Sequence, residues 1–233
     1  SADGRWYLVG LLPDRGTPDC AVDVRRSDEE ADVPLSVRFP GVASHFRYSP
    51  DEQRALAVTD DGLLRIWAVA SGKLVDEPLP VGGRVHTVEF SPDSKWIVTG
   101  GTDCLAQLWE AARILETPDL VRSGQVQPSS LPYFKDSPER GAGGEWGITG
   151  VAHEAEDLDG SKRRLARVRR VGGGLPHDGE VWSARFSSTA NKLVTASGDG
   201  VTRLWSVPEG RLLRELRGHQ GAVYHAEFSQ DGR

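Results

Sequence analysis

His177, Thr195, Ser197 and Asp199 fall within one short stretch of the chain. An imidazole, a hydroxyl and a carboxylate are the parts of a hydrolytic triad. A nucleophilic hydroxyl has to stand on an exposed, sharp turn, yet both candidates here lie inside the apolar run KLVTAS, which alternates as a strand does. The trio therefore reads as structural: a buried imidazole needs a donor and an acceptor to offset its desolvation. Metal chemistry finds no better footing. Cys20 and Cys104 are far apart and in no ligand spacing, and no DxDxDG loop occurs. Arg47, Glu89, Arg185 and Glu227 recur at one position of related segments with alternating sign, which suggests paired charges and not a ring of metal ligands. No catalytic, cofactor-binding or metal-binding residue is assigned, and neither a cofactor nor a small-molecule substrate is implied.

The composition narrows the classes further. With 28 Lys and Arg against 34 Asp and Glu, the net charge is −6, which favours solubility and argues against nucleic acid as a partner. No apolar run long enough to span a membrane and no signal peptide is visible, and the cysteine usage fits a reducing cytoplasm. Methionine is absent and the chain opens on Ser1, so it reads as a piece of something longer. Cys20 follows Asp19 and Cys104 follows Asp103, as Gly62 follows Asp61 and Gly200 follows Asp199. All four are expected as the second residue of one recurring turn.

The elements that must carry these residues repeat. VASHFRYSPD (42–51), VHTVEFSPD (85–93), VWSARF (181–186) and VYHAEFSQD (223–231) each end in an aromatic residue followed by serine. Downstream lie RALAVTDDGLLRIWAV (54–69), KWIVTGGTDCLAQLWEA (95–111) and KLVTASGDGVTRLWSV (192–207), each two short strands about a turn, the second closing on tryptophan. Tyr48 to Phe90, Phe186 to Phe228 and Trp67 to Trp109 are all 42 residues apart. Phe90 to Phe186 and Trp109 to Trp205 are 96 apart, which leads us to expect one degenerate repeat with a short insertion across 112–176. A period near 42 with a strand-ending Trp points to propeller blades.

SGDGVTRLW and RGHQGAVYHAEFSQDGR resemble WD40 repeats, including the Gly-His that opens a repeat. The aspartate that follows Trp in that family is replaced by Ala68, Glu110 and Ser206. The style is similar to that of repeats in large bacterial proteins. The resemblance implies an all-β propeller of four-stranded antiparallel blades, about five repeats with one degenerate. Residues 1–233 would form a single propeller domain or part of one, as an open arc or a five-bladed ring. A ladder between 223–228 and 6–10 distinguishes the ring from the arc. The resemblance also implies a network inside the blade, made by His177, Thr195 (or Ser197), Asp199 and Trp205. The other blades keep Thr59, Asp61 and Trp67, and Thr99, Asp103 and Trp109, but carry Val42 and Val81 near the His position.

The function so implied is a non-catalytic scaffold that presents a rim to protein partners. The alternative is a structural or regulatory repeat region of a larger, for example kinase-linked, protein; a propeller hydrolase ranks last. Aligned on the strand-ending aromatic, Ser44, His86, Trp182 and Tyr224 share one repeat position and are the candidate partner-binding residues. Finally, AHEAEDLDG (152–160), with four carboxylates, precedes KRRLARVRR (162–170), with six basic residues. This reads as a hairpin whose arms attract each other, with a basic docking strip as the sharper alternative.

Overall fold

The computed structural model describes residues 6–11, 19–26, 35–40, 42–69, 74–75, 77–111, 155–156, 162–163 and 168–229. All regular elements among them are strands. Strands β1 (Trp6–Leu11), β2 (Asp19–Arg26) and β3 (Leu35–Pro40) form a three-stranded antiparallel sheet. The first blade is β4 (Ala43–Tyr48), β5 (Arg54–Thr59), β6 (Leu63–Ala68) and β7 (Leu79–Pro80). The second holds β8 (Val85–Phe90), β9 (Trp96–Gly101) and β10 (Leu105–Glu110). A separate pair follows, β11 (Ala155–Glu156) and β12 (Lys162–Arg163). Then come β13 (Arg169–Pro176) and the third blade: β14 (Val181–Phe186), β15 (Lys192–Ser197), β16 (Thr202–Ser206) and β17 (Leu212–Leu216).

Strand β13 corrects the repeat arithmetic. It pairs with β10 and completes the second blade in the order β13-β10-β9-β8. Residues 169–176 are therefore the outer strand of an existing blade and not part of a degenerate one. Inner strand β8 lies directly against β14, as it does against β4. Two strands of one blade, β10 and β13, thus flank the interval 111–168. Within it, residues 115–166 form a compact unit of their own, and most of the expected degenerate blade lies outside the described residues. The β11–β12 pairing, Ala155 with Arg163 and Glu156 with Lys162, agrees with the hairpin expected there. Arg169 and Arg170 leave the supposed basic strip to join β13, where Arg169 pairs with Glu110 at 2.8 Å.

Each blade starts with an inner strand, then a turn built on Ser49, Ser91 or Ser187. The hydroxyls of Ser91 and Ser187 accept the backbone N–H five residues on, at 2.9 and 3.1 Å, and Ser49 does the same for Arg54 at 2.9 Å. This satisfies donors that a tight turn leaves free. The second strands are buried almost throughout because a blade is covered on both faces: RALAVT in β5 is buried at every position, and LVTAS of β15 likewise. Between the second and third blades, Val98, Ala106, Leu108 and Leu175 pack against Val181, Ala184, Leu193 and Trp205. Gly100 allows the close approach, since a Cβ there would stand 2.6 Å from Val181 Cγ1.

The recurring Asp-Gly turn holds at three of its four expected places. Gly62 and Gly200 have φ of 76° and 80°, and Cys104 is at 60° in the same position. Cys20 differs: it is the second residue of β2, paired with Phe39. The local dipeptide matches, but the strand pairing overrides it. At the other end of the chain, 223–228 forms no strand, and β1 pairs with β2 alone among the described residues.

Candidate binding face and blade network

The three inner strands share one irregularity. The β4–β5 register shifts between Ala43 and His45, β8–β9 between Val85 and Thr87, and β14–β15 between Val181 and Ser183. The residues skipped are Ser44, His86 and Trp182. Each sits on a β-bulge, a device that bends a strand and re-aims a side chain. A backbone irregularity at the same place in three blades brings together side chains that are 42 and 96 residues apart in the chain.

The result is a row. The His86 and Trp182 rings stack at 4.1 Å between centroids and 13° between planes. Tyr224 meets Trp182 edge-on at 5.3 Å and 61°, an arrangement that suits the ring quadrupoles. Tyr224 is 65% exposed, whereas His86 and Trp182 are half-buried. Ser44 is exposed but joins only indirectly. Its hydroxyl lies 2.9 Å from His45 Nδ1, and His45 Nε2 lies 3.2 Å from the His86 carbonyl, to which it must donate. Burial, with Arg47, His86 and Arg84 nearby, holds the His45 ring below the usual imidazole value. Two members of this group were missed in the sequence. His45 is the neighbour of an aligned residue. Glu180, whose Oε2 is 3.1 Å from His86 Nε2, comes from the loop before β14 and carries no repeat signal.

Three residues further along the inner strands lie Arg47, Glu89 and Arg185. Arg185 Nη1 approaches Glu89 Oε2 at 3.6 Å across adjacent blades, so the alternating signs do pair. Burial pushes the Glu89 carboxyl up, and the Arg185 charge pulls against it. Glu227 instead faces His225 at 3.4 Å. Among the described residues no group of three or more His, Cys, Asp or Glu could hold a metal.

His177, Thr195 and Trp205 meet inside the third blade. His177 Nδ1 lies 2.9 Å from the Leu175 carbonyl, so this nitrogen carries the proton. The bare Nε2, 2.7 Å from Thr195 Oγ1, accepts the hydroxyl proton. Trp205 Nε1–H donates to the same oxygen at 2.9 Å. Burial, then the Arg203 charge, lowers the His177 pKa to about 4 and keeps the ring neutral. Asp199 does not reach His177. It accepts from the N–H of Asp178 at 3.1 Å, of Val201 at 2.8 Å, and from Arg203 Nη1 at 2.6 Å. Ser197 turns to the Gly179 carbonyl. Thr195 and Ser197 are fully buried, so neither hydroxyl can meet a substrate.

The other blades depart from this in a way that the strand register explains. Ala43 pairs with Thr59 as Val181 pairs with Ser197, so Thr59 holds the Ser197 place and Ala57 the Thr195 place. Thr59 accordingly bonds Asp61 and Arg65. In the second blade Trp109 Nε1 donates to Thr99 at 3.1 Å, and Gln107 takes the Val81 carbonyl in place of a histidine contact.

Residues 80–110 and 173–206 match the profile of the family described as "WD domain, G-beta repeat". These two stretches are WD40 repeats. The two matched stretches span β8 to β10 of the second blade and the course from the second half of β13 to the end of β16. Nuclear distribution protein nudF of Aspergillus niger is 28% identical over 178 residues, covering 70% of this chain and 39% of that protein. Human angio-associated migratory cell protein is 27% identical over 203 residues, covering 79% and 44%. Human apoptotic protease-activating factor 1 is 24% identical over 183 residues, covering 78% and 14%. The chain therefore spans less than half the length of each of these relatives. Among solved structures, that of U3-55K aligns with a TM-score of 0.46 at 18% identity, over 78% of this chain and 41% of the other. No helix among the described residues is long and apolar enough to cross a membrane.

Proposed function

We propose that this chain is a non-catalytic interaction platform and that a protein partner docks on the face marked by Ser44, His86, Trp182 and Tyr224. The observation that carries the reading is the bulge repeated in β4, β8 and β14. It breaks three ladders at one level and brings His86 onto Trp182, with Ser44 joined through His45, in a row ending on a tyrosine that is 65% exposed. Trp and Tyr at such a place offer large contact area and a polar handle, the properties of binding anchors. A net charge of −6 and the carboxylates of Asp178 and Glu180 beside the row favour protein over nucleic acid. The unpaired Cys104 suits a reducing, cytoplasmic setting. A hydrolytic role has no support in the blade network, whose hydroxyls are sealed and whose carboxylate does not orient the histidine.

The experiment is capture of partners from cell extract by the wild-type chain and by the double variant Trp182→Ala/Tyr224→Ala. Glu209→Ala, an exposed change in the β16–β17 turn, serves as the surface control. Proteins held by the wild type and by Glu209→Ala should be lost from the double variant, provided its melting temperature shows a folded chain. An unchanged set of captured proteins would refute the docking face.

A further inference from the structure

Resting on the docking face just proposed, we infer that its Trp182–Tyr224 end recognises a basic side chain, arginine or lysine, of the partner, with Glu180 as the counter-charge. Carboxylates border the row at its third-blade end. At the third-blade end the loop before β14 supplies Asp178, whose side chain is 92% exposed, and Glu180, at 42%. Among the described residues the one cation paired with Asp178 is Arg203 at 3.8 Å, which is buried and already holds Asp199 and Glu215. Glu180 has a single side-chain partner among the described residues, His86 Nε2 on one carboxylate oxygen. Its exposure leaves the carboxylate open to a second donor.

The aromatic part fits the same ligand. His86 covers one face of Trp182 and Tyr224 abuts it edge-on, so the exposed Tyr224 ring supplies accessible aromatic surface at this end of the row. Gly198 lies at the indole edge: a Cβ there would be 3.4 Å from Trp182 Nε1 and 3.6 Å from the Glu180 amide. Indole and carboxylate backbone therefore border one glycine-floored step. An arginine or lysine carries an apolar stem that packs on an aromatic ring and a cation that seeks a carboxylate. A neutral apolar side chain would use the ring but leave Glu180 unmatched, and an acidic one would be repelled.

The test follows the indole N–H resonance of Trp182 in the nitrogen-15-labelled chain. The probes are N-acetyl-arginine methylamide and its citrulline counterpart, which keeps the shape and loses the charge. Resonances are assigned with Trp182→Phe. We expect the arginine probe to shift the Trp182 signal saturably and the citrulline probe to bind about tenfold more weakly, the worth of one charge-assisted contact. Glu180→Gln should remove that preference, Tyr224→Ala should weaken both probes, and added salt should weaken arginine alone. Equal binding of the two probes, a preference that survives in Glu180→Gln, or no shift with either probe would overturn the inference. If the preference is absent while Trp182→Ala/Tyr224→Ala still abolishes partner capture, the docking face stands and the basic ligand falls. If capture is also unchanged, both fail.

Discussion

Thr195→Val removes one oxygen and almost nothing else. The two side chains have the same shape, so no cavity opens in β15 and the change isolates the hydroxyl. That hydroxyl serves two groups: it donates to His177 Nε2 at 2.7 Å and accepts from Trp205 Nε1–H at 2.9 Å. His177 is 8% exposed and Trp205 3%, so water cannot replace the lost partner. A buried polar group stripped of its hydrogen bond costs about 1–3 kcal/mol. Two such groups should lower stability by about 3 kcal/mol. Thr99→Val is the internal standard. Thr99 serves only Trp109, at 3.1 Å, and its loss should cost about 1.5 kcal/mol. Urea denaturation followed by tryptophan fluorescence gives both values from midpoints at unchanged slope. The reasoning is refuted if Thr195→Val unfolds at the same urea concentration as Thr99→Val, because the histidine would then contribute nothing.

Two further outcomes follow from the same geometry. His177 has a folded pKa of about 4 against 6.5 for a free imidazole. The unfolded chain therefore takes up a proton through pH 6.5 while the folded chain does not, and stability declines from there until the folded ring protonates near pH 4. The total is about 3 kcal/mol. The carboxylates held low in the fold, Asp61, Asp93 and Asp199, give way only at the acid end. Stability measured between pH 6.5 and 5 should thus fall more steeply in the wild type than in His177→Gln, where the lowered pKa of His45 leaves a smaller decline; parallel curves would contradict this. Separately, Cys104→Gly should raise stability by about 1 kcal/mol, because φ of 60° strains any side chain in the turn where the sister blades carry glycine. A thermal melt reads it, and a lower midpoint would show that the thiol contributes more than the strain removes.

The blades were legible because their spacing is written in large residues. Trp67 and Trp109 close third strands 42 residues apart, and the short runs about Asp-led turns that precede them read as strands and not helices. The excursion inside the second blade was not legible. A spacing of 96 admits a further repeat as readily as one long loop, and RRVGGGLP of β13 has neither alternation nor bulk to mark it as a strand. Only its pairing with β10 decides the matter. Alignment on the terminal aromatic did find the row of Ser44, His86, Trp182 and Tyr224. The bulge beneath it leaves a trace, since Val85, Val88 and Phe90 are buried with spacings of three and then two where a flat strand keeps two throughout. Glu180 and the Ala57 substitution in the first blade needed the register itself, which no local pattern reports.

The late arrival of β13 bears on how this protein assembles and how its sequence can drift. In the third blade only five residues, 207–211, separate the last two strands, whereas 58 residues, 111–168, separate β10 from β13. Were that connection a flexible loop, closing it would cost about 2 kcal/mol more in chain entropy, and a segment folded as its own unit lowers that figure. The second blade should therefore zip its first three strands as a local meander and collect the fourth last, once the chain beyond it is already tethered by the third. Once that closure has been made, lengthening is cheap, since doubling the excursion would add only about 0.6 kcal/mol. The gap between β10 and β13 is thus a permissive insertion point, where whole segments can be gained or exchanged while the register of the blades, and with it the row of bulges, is left undisturbed.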